Sequence, residues 1–150
     1  MNRLPIFFYV KGEPQGKARP RFTKTGRTYT PKNTADYEER IRFEFNKWAL
    51  ENKVDEPVPK GVPLFMRVTA VYGIPQSATK KQRADMVANR MRPTKKPDYD
   101  NVCKVVSDAL NGLAFYDDAQ ITTAMVSKVY GEDPMVIISI SRDWEEGHND

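Results

Sequence analysis

Cysteine and histidine are almost absent from this chain: Cys103 and His148 stand alone among 150 residues. A single thiol excludes an intrachain disulfide, and one Cys with one His cannot supply the four ligands of a structural zinc site. A lone thiol fits a reducing compartment, so a cytoplasmic location is expected. No apolar run approaches the roughly 20 residues that cross a bilayer, so no membrane partner is expected either. The opening Met1-Asn2-Arg3-Leu4-Pro5-Ile6-Phe7-Phe8-Tyr9-Val10 is basic and then apolar. Its apolar part is short, Lys11 and Glu13 follow, and no small-residue cleavage site appears, so it reads as a strand and not as a signal peptide. Internal repeats and low-complexity tracts are missing too.

What is present suits one folded domain over residues 1–150, with a polar tail from Trp144 to Asp150: 39% of residues are hydrophobic and 29% charged. The net charge is only +4, but it is unevenly spread. Residues 1–30 carry +6, 31–75 carry 0, 76–96 carry +6, 97–133 carry −5 and 134–150 carry −3. Two basic arms thus flank an acidic centre. That pattern suits a phosphate polymer held near a metal site, and two solvated basic loops would look the same.

The apolar pattern outlines the elements. Residues 4–11 read as a strand, and Gly12 to Phe22, with two glycines and two prolines, as an irregular loop. Residues 27–30 suggest a short strand. Tyr37, Ile41, Phe45 and Trp48 recur at helical spacing, predicting a helix over 33–53 capped by Asn33 or Thr34. Residues 64–74 alternate, with Leu64, Met66, Val68, Ala70, Tyr72 and Ile74 on one face. A polar helix is expected over 79–89 and a basic connector over 89–97. Val102, Val105, Val106, Ala109, Leu110 and Leu113 form the apolar stripe of a helix over 99–113, stopped by Asn111-Gly112. Two β-branched segments, 120–130 and 135–141, separated by Gly131-Glu132-Asp133-Pro134, predict an antiparallel hairpin.

The chemistry concentrates in Pro97-Asp98-Tyr99-Asp100-Asn101 and the helix that follows. Pro97 favours an extended entry, and in extended chain residues two apart point the same way. Asp98 and Asp100 can therefore aim at one point at the electropositive helix start. Lys104 lies one turn beyond Asp100, and Asp108 one turn further. The pair Asp117-Asp118 follows the helix and could be returned beside the first two carboxylates. Three clustered carboxylates repel unless a cation joins them, and an all-oxygen set selects Mg²⁺ or Mn²⁺. Such a site activates water and stabilises the leaving oxygen in phosphodiester cleavage. Plainer roles fit each residue alone. Asp98 could cap the helix, Asp100 or Asp108 could pair with Lys104 on an exposed face, and Asp117-Asp118 could be a turn.

Taken in order, Pro97-Asp98-Tyr99-Asp100-Asn101, Lys104, Asp108-Ala109-Leu110-Asn111-Gly112 and Asp117-Asp118-Ala119-Gln120 resemble the signature of the RusA-type Holliday-junction resolvases. Gly16-Lys17-Ala18-Arg19-Pro20-Arg21-Phe22, Gly26 to Pro31, and Ile74-Pro75 with Lys80-Lys81-Arg83 are similar to the phage and prophage branch. The resemblance implies an α/β (α+β) fold on a mixed sheet. It implies a homodimeric, Mg²⁺-dependent endonuclease, with Mn²⁺ as a substitute, that resolves four-way DNA junctions by paired nicks in recombination and repair. The matching metal ligands are Asp98, Asp100 and Asp118, with the adjacent Asp117 as an alternative ligand or a helper ranked below Asp118, and Lys104 matches the catalytic lysine. The expected DNA contacts are Lys17, Arg19, Arg21, Lys24 and Arg27 in one arm, with Phe22 and Tyr29 interleaved. Lys80, Lys81, Arg83, Arg90, Arg92, Lys95 and Lys96 form the other. Sheet or core packing is the leading expectation for Tyr29, ahead of base stacking. A broader flap or branched-DNA nuclease and a non-catalytic junction-binding module are the rival expectations.

Overall fold

Alternation in Leu64–Gly73 builds the centre of the molecule. In the computed structural model, which describes residues 4–144, this strand (β4) is flanked on both edges. The elements run β1 (Ile6–Lys11), β2 (Arg21–Phe22), β3 (Thr28–Tyr29), α1 (Lys32–Glu51), β4, α2 (Lys80–Val87), α3 (Tyr99–Leu110), a 3₁₀ turn (Asp118–Gln120), β5 (Ile121–Gly131) and β6 (Met135–Arg142). The main sheet is mixed, in the order β1-β6-β4-β5. β1 and β4 run antiparallel to β6, and β5 runs parallel to β4. This is the expected α+β architecture. Trp144, where the expected tail begins, is exposed, and residues 145–150 lie outside the described ones.

Period-2 burial picks out one sheet face. Ile6, Phe8 and Val10 of β1, Val136, Ile138 and Ile140 of β6, and Leu64, Met66, Val68, Ala70 and Tyr72 of β4 are all buried. Against them lie Tyr37, Ile41, Phe45 and Ala49 of α1 and Val102, Val105, Val106, Ala109 and Leu110 of α3. Each large aliphatic so covered contributes on the order of 1.5–3 kcal/mol relative to exposure. The α3 stripe thereby fixes which side of that helix is left for chemistry.

Three local expectations change. Helix α1 starts at Lys32, with Pro31 at its N-cap and no side-chain cap bond, so neither Asn33 nor Thr34 caps it. Proline is pre-set for a helix entry. Thr34 is buried and its hydroxyl accepts the Ala18 N–H at 3.3 Å, which holds the preceding loop instead. The predicted β5–β6 hairpin does not form, because β4 lies between the two strands. β4 is apolar enough for a central place, whereas β5 has no fully buried residue and takes the edge. The Gly131–Pro134 connection spans about 10 Å, two strand spacings, and is tied by Ile74 N–H to Gly131 O at 3.2 Å and Gly12 N–H to Pro134 O at 2.9 Å. Tyr29, expected in a sheet or the core, lies in the separate two-stranded β2–β3 sheet but is 46% exposed, so it is no part of the core.

Candidate active site

Register places the site. Ala124, Val126, Lys128 and Tyr130 of β5 lie opposite Met66, Val68, Ala70 and Tyr72 of β4, on the face that carries the helices. Helix α3 covers the sheet beside them only in part, leaving a cleft of about 350 Å³. Its walls are Tyr99, Asp100, Cys103, Lys104, Ser107, Asp108 and Asp118, and its floor is Ala124 and Val126. Another hollow, about 260 Å³, lies between β1 and α1 against Trp48, but it holds none of the expected site residues.

Each acid has a distinct local cause. Asp98 occupies the N-cap position of α3 in extended conformation, yet its side chain makes no cap bond. It pairs instead with Lys96 at 3.0 Å and does not line the cleft. Asp100 lies in the first turn of α3 on the cleft wall. Asp117 caps the 3₁₀ turn: its carboxylate accepts Ala119 N–H at 3.1 Å, and Gln120 returns a bond to the Asp117 N–H at 2.9 Å. Gln120 also donates to Pro59 O at 2.8 Å, which staples this turn to the loop before β4. Asp118 keeps its carboxyl for the cleft while its N–H is held by Asn111 Oδ1 at 3.0 Å. The Asp-Asp-Ala-Gln motif thus divides into a capping acid, a cleft acid and a staple.

The electrostatics follow this division. The Ala119 N–H, followed by the hydrogen bond shared with Asp118, holds the Asp117 carboxyl below its ordinary value. Asp118 is pushed up, first by burial, then by the bond to Asp117 and the charges of Asp117 and Asp108, with Lys104 acting against them. Lys104 is exposed and lies 3.9 Å from Asp108, with no pair to Asp100. Asp108 is held more closely by Lys17, at 3.3 Å.

The convergence of Asp98, Asp100 and Asp118 is not drawn together here. Among the described residues no three His, Cys, Asp or Glu side chains form a group able to hold a metal ion. Asp100 and Asp118 share the cleft, whereas Asp98 does not line it and pairs with Lys96. The donor chemistry still fits a hard cation. Mg²⁺ commonly takes one or two carboxylates and fills the rest of its shell with water and phosphate oxygens, and the charges of Asp117 and Asp108, which add to burial in raising Asp118, are what a cation would offset.

The basic residues divide as well. Lys17 is largely buried between Glu38, at 2.5 Å, and Asp108. Burial acts to lower its ammonium pKa, but those two acids outweigh it and raise the value. Arg83 pairs with Glu132 at 3.1 Å, Arg90 with Asp85 at 3.0 Å, and Lys96 with Asp98. Arg19, Arg21, Lys24, Arg27, Lys80, Lys81 and Arg92 are exposed. The β2–β3 ribbon that carries Arg21 also shows Phe22, 73% exposed, to solvent. Sequence reasoning passed over Tyr72, Tyr130 and Lys128, which cluster beyond the cleft floor. The signal for Lys128 was there, since it is the one charged residue in β5.

An α+β domain that sets carboxylates and a lysine over a strand floor, with exposed cations around it, has the chemistry of a phosphate-ester site. The model of the family described as Endodeoxyribonuclease RusA matches residues 11–141. The chain belongs to that family and is an endodeoxyribonuclease. It is 33% identical over 138 residues to the uncharacterized protein YqaN of Bacillus subtilis (strain 168), covering 90% of this chain and 94% of that protein. It is 28% identical over 142 residues to the crossover junction endodeoxyribonuclease rusA of Lactococcus phage r1t, covering 94% of this chain and 92% of that protein. Among the described residues no helix is long and apolar enough to cross a membrane.

Proposed function

We propose that this endodeoxyribonuclease resolves four-way DNA junctions by paired nicks, with Mg²⁺ as its metal and Mn²⁺ as a substitute, in recombination and repair. The observation that carries the reading is the shared cleft of Asp100, Lys104 and Asp118. The phage r1t relative, named a crossover junction endodeoxyribonuclease, supports the junction as substrate. Asp100 and Asp118 hold the metal. A bound divalent cation supplies a water of lowered pKa and neutralises charge on the phosphate. Lys104, exposed on the same wall, contacts a phosphate oxygen and stabilises the charge that grows there. Asp98, if freed from Lys96, would be the third residue to hold the metal. That pair is solvent-exposed, with side chains 83% and 48% accessible, and such pairs are worth at most about 1 kcal/mol.

The exposed arginines and lysines of the two arms hold the DNA backbone, which positions the substrate without reading sequence. A homodimer completes the reading, since a four-way junction and an isologous dimer share two-fold symmetry. Phe7, Tyr9 and Met125, exposed on the strands, supply apolar surface for it. The enzyme acts in the cytoplasm of a bacterial host, from a phage or prophage gene.

The test compares a synthetic four-way junction, a flap and a linear duplex under Mg²⁺. Symmetric nicks are expected in the junction and are lost in Asp100→Asn. Equal cutting of flap and junction would make this a broader branched-DNA nuclease. Tight binding with no cutting under either metal would leave a junction-binding module.

A further inference from the structure

We infer that Lys128, together with Lys95, forms a second phosphate-binding notch that grips the DNA strand one step along from the carboxylate cleft. The inference rests on the nuclease reading and adds Lys128, which neither the signature motif nor the basic arms contain, as a partner to Lys95 of the second arm.

In a strand, residues two apart share a face. Ala124 and Val126 floor the cleft, so Lys128 and Tyr130 continue the same row past its end. Lys128 lies opposite Ala70, with Tyr72 one step further along the neighbouring strand. Its ammonium donates to Lys95 O at 2.5 Å and lies 5.3 Å from the centre of the Tyr72 ring. The Lys95 ammonium lies 5.9 Å from the same ring and 6.0 Å from that of Tyr130. Two cations are thus gathered about one aromatic side chain.

Neither lysine has a carboxylate partner among the described residues. The nearby acids are engaged elsewhere: Glu13 accepts Gly73 N–H at 3.0 Å, and Asp98 holds Lys96. The ring that both lysines approach is itself fixed, since Tyr72 donates its hydroxyl to Pro97 O at 3.0 Å. Two ammonium groups about one fixed ring, neither with a carboxylate partner among the described residues, make a site that an anion would join. Lysine binds phosphate as a point charge, and a phosphodiester supplies one negative charge per nucleotide. The row leads directly out of the cleft, so the anion it meets is the next phosphate of the strand being cut. A basic arm on a loop would swing with its loop, whereas Lys128 is anchored in the eleven-residue β5.

The test measures binding of a synthetic four-way junction, with Ca²⁺ in place of Mg²⁺, across a series of salt concentrations. Losing one phosphate contact should lower the slope of log K against log salt by about 1. Lys128→Gln is expected to show that loss and to bind roughly tenfold more weakly at moderate salt. Lys128→Arg should restore the slope, which a purely structural role would not require. Lys95→Gln, on the exposed connector, provides the same readout if Lys128→Gln proves unstable. Slopes equal to wild type in Lys128→Gln, or in Lys95→Gln where that variant is the one measured, would overturn the inference. A wild type that binds but never nicks under Mg²⁺ would instead overturn the nuclease reading and leave the notch to be judged by its slope.

Discussion

Asn111 Oδ1 accepts the backbone N–H of Asp118 at 3.0 Å, across the turn that leaves α3. Gly112, at φ +76°, makes that turn in a conformation that side chains disfavour. The cleft acid is therefore positioned by a residue that does not itself line the cleft. Asn111→Ala should lower metal affinity or single-turnover cleavage by about 10- to 100-fold, as losses of supporting hydrogen bonds around metal ligands do. Junction binding should stay near wild type. A Mn²⁺ titration of the cleavage rate checks this, and an unchanged curve would mean that Asp118 is held by its own turn alone.

Asp118 gathers negative charge at a cost to the fold. Burial, then Asp117 and Asp108, raise its pKa, so the folded chain binds that proton more tightly than the unfolded chain does. The sign follows from linkage: the stabilising contribution is present below the ordinary carboxylate pKa and is lost as pH rises through the raised folded value. At neutral pH in EDTA, Asp118→Asn should therefore melt above wild type, and the gap should close below about pH 4. Nicking should be lost at the same time. Added Mn²⁺ should raise the melting temperature of wild type more than that of the variant, because only binding to the folded state stabilises. A lower melting temperature for Asp118→Asn at neutral pH would contradict the repulsion.

Gly16 ties the basic loop to the site. A Cβ built there would lie 2.8 Å from the Pro97 Cβ and 2.9 Å from the Asn101 Cβ. The next residue, Lys17, donates its N–H to Asn101 O at 2.9 Å. Gly16→Ala must push the loop away from the start of α3, and overpacking of this kind costs about 1–3 kcal/mol. The expected result is a lower urea midpoint together with slower nicking, since Asp98 and Asp100 flank the displaced contact. Wild-type stability with wild-type cleavage would show that the loop yields freely.

How far the sequence could be read depends on the range of the interaction. The α3 stripe, the β4 alternation and the Thr79 start of α2, which carries a capping box, were all local patterns and all recur in the structure. The β5–β6 arrangement was not local. Two adjacent strands with a glycine-led connection look like a hairpin until β4, some fifty residues earlier in the chain, takes the place between them. The site shows the same division. Asp98, Asp100 and Lys104 stood out by spacing, and the choice of Asp118 from its pair came from the family resemblance. Asp100, Lys104 and Asp118 line one cleft and Asp98 does not, whereas Lys17 looked like a phosphate contact because Glu38 and Asp108 are far away in sequence. Lys128 was passed over for the converse reason, since its importance comes from Tyr72 and Lys95 on other elements.

Tyr37 provides a test of the core that is independent of catalysis. Its ring packs in the α1 face at 2% exposure, and its hydroxyl is buried without a hydrogen bond of full geometry. An unsatisfied buried hydroxyl costs about 1–3 kcal/mol, so Tyr37→Phe should stabilise the fold by roughly 1 kcal/mol. Burial, opposed by the Arg40 charge, lifts its pKa to about 12, and Tyr72 is lifted to about 12 chiefly by burial as well. A raised folded pKa keeps its contribution below the ordinary value of 10 and loses it as pH climbs toward 12. Wild type should therefore lose stability over that alkaline window, and Tyr37→Phe should lose less. Urea melts at neutral pH and at about pH 11 measure both effects. A Tyr37→Phe variant that is less stable at neutral pH would mean that the hydroxyl has a partner after all, the Gln15 backbone beside it being the nearest candidate.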